Sequence, residues 1–239
     1  MQKFYKQVST GPAVGGGFVV LLDGRPVRTP AKALMVAPNK ALADAMADEW
    51  AAQGELVIPD TMPLTQMLTT ALDRADARAA MEEAVLAYID SDLLCYLADE
   101  PEGLRLEQEK IWAPWLKWFE KRFGIGLATT YALARLDQPD AAHKQVEATV
   151  RAMDIHTFTV FHTVASIAGS IVIGLAFTEG AISPVEAWRC ALCEELYYER
   201  LHDLEKHGLD PIEQKRRDAL ARDLDAAKAY LKFIQSATS

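Results

Sequence analysis

Cys190 and Cys193 stand one helical turn apart, and Glu199 and His202 repeat that spacing a few residues later. Either pair could approach a metal. A structural zinc site needs four ligands, and no second Cys-x-x-Cys exists to complete one. A thioredoxin-like motif would follow a strand, which this pair does not. The two cysteines therefore read as small core residues. Glu-x-x-His is the helical ligand spacing of di-iron bundles, which also require a second such pair and two further inward glutamates. The nearest second pair is Asp140 with His143, which offers the wrong acid. His202 reads as an exposed helix residue, and His156 and His162 as polar residues near the end of an apolar stretch. No Gly-x-Ser-x-Gly elbow occurs. The run Gly15-Gly16-Gly17 lacks the Gly-Lys-Ser/Thr ending of a phosphate loop and reads as a turn. No catalytic residue, metal ligand or cofactor is assigned. A helical-bundle enzyme with a carboxylate/histidine metal centre stays as the alternative.

Two segments suit binding better than catalysis. In "CEELYYERLHDLEK" (residues 193–206) the stripe Cys193, Tyr197, Leu201 and Leu204 should face a bundle, with Cys190 extending it upstream. Glu194, Glu195, Tyr198, Glu199 and Asp203 then lie beside or opposite it. Such a face is either solvated or a binding rim, in which tyrosines supply contact area and acids supply orientation. The second segment carries Trp112, Trp115, Trp118, Phe119 and Phe123, more rings than one core contact needs. Partner-binding candidates are Glu194, Glu195, Tyr198, Glu199 and Trp112.

These segments must be held by the elements around them. "GFVVLLDGRPVRTP" (residues 17–30) predicts a strand, an Asp23-Gly24 turn and a second strand ended by Pro30. Phe4 to Val8 alternates as another strand would. "PNKALADAMADEWAAQG" predicts a helix capped by Asn39, closed by Gly54, with Leu42, Ala43, Met46 and Trp50 on one face. From about Asp76 onward only helices are predicted. They cover Ala77 to Leu97, Glu102 to Phe123 with a kink or break at Pro114, and Gln138 to Met153. "SPVE" and "DPIE" mark two more helix starts at Ser183 and Asp210. The fold class is α+β: a small mixed α+β N-terminal domain, residues 1–76, followed by a larger all-helical C-terminal domain, residues 77–239.

The 239 residues are half apolar and carry a net charge of −9. That charge disfavours nucleic acid as a partner. Three scattered cysteines and a start without an apolar signal core point to a cytoplasmic chain. The stretch "FTVFHTVASIAGSIVIGLAF" (residues 158–177) has the length of a membrane span. Its His, Ser and Thr content, its acidic flanks and the missing aromatic belt argue instead for a central helix of a bundle, surrounded on all sides. No membrane insertion is expected, although a membrane-associated assembly factor is the third reading.

The motifs "LDGRPVRTP", "EWAAQG", "MPLT", "TALDR" and "DLLCYLADEPEGL" occur in that order between Leu22 and Leu104, followed by Gln108, Trp112, Pro114, Gly169-Ser170 and the acidic helix. This ordered set resembles the assembly chaperone of the F-type ATP synthase that serves the alpha subunit of the catalytic head. The resemblance implies a small mixed domain before a helical one, and a folding factor without catalysis. The missing phosphate loop suggests that it works without ATP, and a monomer is expected. Its partner would be the unassembled alpha subunit, whose beta-facing surface it would shield. It also places the family's sensitive glutamate at Glu194, with Glu195 adjacent. Here the chain departs from the family pattern. Cys193 replaces an Asp, Tyr197 a Gln, and Leu201-His202 a Trp-Gly, while Glu194 and Glu199 are kept.

Overall fold

The computed structural model describes residues 1–132, 134–201 and 210–236. They form two compact units. The first comprises Met1–Arg78, Ile155–Val160 and the chain from Asp225 onward. The second comprises Ala79–Asp154 and Phe161–Leu224. The sequence boundary between 76 and 77 divides the chain once, whereas these units also share out two later helices.

The first unit is built on an antiparallel sheet of β1 (Val8–Pro12), β2 (Phe18–Leu22), β3 (Arg25–Pro26) and β4 (Val36–Ala37). β2 is central: β1 pairs along its whole length, while β3 and β4 divide its other edge. Leu22 faces Arg25 across the Asp23-Gly24 turn, and both turn residues have positive φ, as a tight hairpin requires. Gly15, Gly16 and Gly17, all at positive φ, form the β1–β2 loop. A strand, not a helix, follows them. The first strand begins at Val8, later than the expected Phe4 to Val8, because the preceding residues pack differently: Tyr5 is buried and donates its hydroxyl to the Trp50 carbonyl at 2.7 Å. α1 (Lys40–Ala51) lies over the sheet with Leu42, Ala43, Met46 and Trp50 buried. Asn39 caps it by accepting from Leu42 N at 2.8 Å. Gly54 does not close it; the helix ends on Ala52 in ordinary right-handed geometry. α2 (Pro63–Asp73) starts at a proline and borrows its cap from α1: the Glu49 carboxylate accepts from Leu64 N at 2.7 Å and Thr65 N at 2.9 Å.

The second unit is helical. α3 (Arg78–Leu86) stops well short of Leu97; two 3-10 turns, Ala87–Ser91 and Leu93–Cys95, replace the rest of the predicted helix. Asp92 separates them in extended geometry, because its side chain is used to cap Leu94 N. α4 (Glu102–Phe123) runs unbroken through Pro114. The proline ring lies on an exposed face, where water can serve the carbonyl it leaves unpaired. α5 (Asp140–Arg151) follows.

The charge-free stretch is two helices, not one: α6 (Ile155–Ala168) and α7 (Ile171–Thr178). Gly169 turns the chain at φ 65°, and Ser170 restarts it by accepting from Ile173 N at 3.1 Å. Every residue of α7 is buried, so the expectation of a fully surrounded helix holds for this half alone. α6 leaves Ser166 exposed and His162, Thr163 and Ile167 half-buried. Among the described residues no helix is long and apolar enough to cross a membrane. α8 (Pro184–Ala191) begins with a complete capping box from Ser183 and Glu186. α9 (Cys193–Leu201) and α10 (Pro211–Gln235) complete the order, and Asp210 caps α10 through Ile212 N at 2.9 Å.

Candidate protein-binding surface

Cys190 and Cys193 are both buried, which fixes the side of α9 that faces inward. Burial pushes both thiols up to about 12, so they stay protonated and inert at neutral pH. Glu194 is exposed, while Glu195, Tyr198 and Glu199 are half-buried. The rings of Tyr197 and Tyr198 meet edge to face at 5.4 Å.

The acids of α9 divide into two kinds. Glu195 and Glu199 are engaged by consecutive arginines of α10. Arg216 reaches Glu195 at 2.9 Å, and Arg217 bonds Glu199. Both arginines also clamp Glu213, whose carboxyl they hold down at about 2. Arg217 has only 7% of its side chain exposed, so its ion pairs lie where solvent screens them little. Arg200, at the end of α9, reaches back to Glu107 of α4 at 3.0 Å. Glu194 has no cationic partner among the described residues. Two of the three acids thus fasten α9 to α10, and the third presents a free carboxylate to solvent.

The aromatic helix gives less surface than its composition suggested. Trp112 is 2% exposed and donates its indole N–H to the Cys190 carbonyl at 3.1 Å. It seats α4 against the end of α8 and is not available to a partner in this structure. Phe119 is also buried; Trp115, Trp118 and Phe123 are half-buried. Among the described residues no group of three or more His, Cys, Asp or Glu is placed to hold a metal. Glu199 is taken by Arg217, and His143 contacts Asp90 at 3.0 Å. His202, Asp203 and Leu204 lie outside the described residues.

A solvent-facing acid on a helix locked by ion pairs suits recognition of another protein. Comparison with known proteins decides the family. A sequence profile of the ATP12 chaperone protein matches residues 2–120. The Atu1473 protein from Agrobacterium tumefaciens is 36% identical, with a TM-score of 0.85 over 98% of this chain and 86% of that one. The chain belongs to the ATP12 chaperone family. Atp12p from Paracoccus denitrificans, in its crystal structure and as an aspartate-to-lysine mutant, is 28% identical with a TM-score of 0.84 over 97% of both chains. The likeness to ATP synthase assembly chaperones read from the ordered motifs is borne out, as is the α+β fold. The ATP12 family is one of chaperones and not of enzymes.

Several of the motif residues that mark this ATP12 chain turn out to position backbone. Asp92 is fully buried and accepts from Leu94 N at 2.9 Å, Val172 N at 3.0 Å and the Ser170 hydroxyl at 3.0 Å. It anchors the first amides of α7. Burial raises its carboxyl to about 6, against the pull of those donors. Glu49 does the same for α2, and Gln108 accepts from Ala98 N at 2.7 Å. Sequence reasoning missed these roles because, apart from the Asp92–Leu94 contact, the groups they hold are not sequence neighbours. The only hint was an acid or amide inside an otherwise apolar face.

Proposed function

We propose that the protein is an ATP-independent assembly chaperone that binds the unassembled alpha subunit of F-type ATP synthase and shields its beta-facing interface. The reading places it in the cytoplasm, without membrane insertion. An unassembled subunit exposes apolar interface that aggregates unless it is covered. A holder must cover it tightly enough to compete and loosely enough to release. The outward part of α9 fits that task, with Glu194, Glu195, Tyr198 and Glu199 as its candidate contacts. The observation that carries the reading is Glu194, exposed and unpaired beside two neighbours already engaged by arginine. A free carboxylate on a rigid helix steers a basic patch and costs no ion pair when it is engaged.

Glu194→Lys tests this. The variant should melt with the wild type, since the side chain is exposed, yet capture purified alpha subunit at least tenfold more weakly, a loss of about 1.4 kcal/mol or more. Equal capture by a well-folded variant would remove α9 from the contact. Wild-type capture should be unchanged by added ATP, and calorimetry should show no saturable nucleotide binding.

A further inference from the structure

The first unit holds a cleft of about 560 Å³ at the open end of its sheet. Its lining brings Phe4, Tyr5 and Trp50 together with Arg25, Val27 and Arg28, and Asp23 also lines it. The aromatic wall is rigid. Phe4 and Tyr5 meet edge to face at 5.4 Å, Tyr5 and Trp50 at 5.7 Å, and the Tyr5 hydroxyl is tied to Trp50 backbone. Phe4 is nonetheless 65% exposed. Its exposure is not that of a loose end, because Lys3 N bonds the Glu55 carbonyl at 2.8 Å and Val57 N bonds the Met1 carbonyl at 2.8 Å. Trp50 is 8% exposed, and its indole N–H is buried without an acceptor. An unpaired buried N–H is uncommon and invites an explanation.

The charge of this region is opposite to that of the chain. Residues 1–37 carry Lys3, Lys6, Arg25, Arg28 and Lys32 against Asp23 alone, in a protein of net charge −9. Asp23 is spent locally, since its carboxylate accepts from Lys6 N and Gln7 N at 3.1 and 2.8 Å. Arg28 donates once, to the Lys32 carbonyl at 2.9 Å. Among the described residues neither Arg25 nor Arg28 has a carboxylate within ion-pair distance.

We propose that this cleft seats a polypeptide segment in which carboxylates flank an aromatic or aliphatic side chain. The apolar side chain packs on the fixed Phe4–Tyr5–Trp50 wall, where little freedom is left to lose. The flanking carboxylates meet Arg25 and Arg28, whose planar guanidiniums bind them in pairs of hydrogen bonds. The proposal stands apart from the alpha-subunit reading and is tested without that subunit.

The probe is the blocked peptide Asp-Phe-Asp-Phe-Asp, titrated into the full chain labelled with ¹⁵N at low salt. Backbone signals of Arg25, Val27 and Arg28 and the Trp50 indole signal should move and saturate. Arg25→Glu/Arg28→Glu should weaken binding at least tenfold with an unchanged melting temperature, and Phe4→Ser, also at an exposed position, should weaken it several-fold. Four results would overturn the proposal: no saturable movement at these residues, an equal response to Lys-Phe-Lys-Phe-Lys, unchanged binding by both variants, or the same movement produced by inorganic phosphate alone.

Discussion

Asp92 shows what a single residue contributes here and how it can be measured. Its carboxyl titrates near 6 in the folded protein, above its ordinary value of 3.8. The native state therefore holds this proton more firmly than the unfolded chain does. The stabilisation from that proton is complete below about pH 4 and is lost as pH rises toward 6. Asn cannot titrate, so the stability gap between wild type and Asp92→Asn should narrow from pH 4 to pH 7. Two pKa units correspond to about 2–3 kcal/mol. Urea unfolding at the two pH values measures this, and a constant gap would show that the buried carboxyl does not titrate in the window. At this scale the sequence was partly legible. Asn39, Ser183 and Asp210 declared themselves as caps because a cap acting on its own helix leaves a local pattern. Asp92 and Glu49 did not, because they cap helices elsewhere in the chain.

Among the elements, α7 is the most demanding. Its Gly174 has no room for a side chain: an added Cβ would lie 2.9 Å from the Ala165 Cβ and 3.1 Å from the Phe161 ring. The close approach of α6 and α7 depends on that missing atom. Gly174→Val should cost about 2–3 kcal/mol, since overpacking of a filled core outweighs the small helix-propensity gain. Thermal or urea unfolding checks it; a neutral result would mean that the two helices separate freely. Periodicity and capping signals located most of the helices but not α2 (Pro63–Asp73), and errors elsewhere fell where tertiary contacts outrank local preference. Pro114 did not break α4, because its ring faces solvent. Ala77 to Leu97 did not stay helical, because the Asp92 side chain caps both Leu94 N nearby and the start of α7. Trp112 was legible as important, but pattern alone could not tell a core anchor from a surface contact. Only the neighbouring Cys190 carbonyl resolves it.

For the whole molecule, the chain forms one unit around the sheet and one helical unit, and two later helices are divided between them. Charge divides as well. The sheet-forming residues are basic and the remainder is strongly acidic, a contrast that a single net value of −9 conceals. A protein of this charge repels its own copies, so sedimentation velocity should give a monomer of 26.4 kDa at physiological salt. A stable dimer would mean that one of the surfaces offered here to a partner is used for self-association instead. The turn at Gly169 and Ser170 has a meaning beyond packing. During synthesis residues 155–178 emerge from the ribosome as one uncharged run, before the rest of the chain exists to cover them. A membrane-crossing helix takes about 20 consecutive apolar residues. A bend written into the middle leaves helices of 14 and 8 residues, each well below the roughly 20 that a bilayer crossing takes.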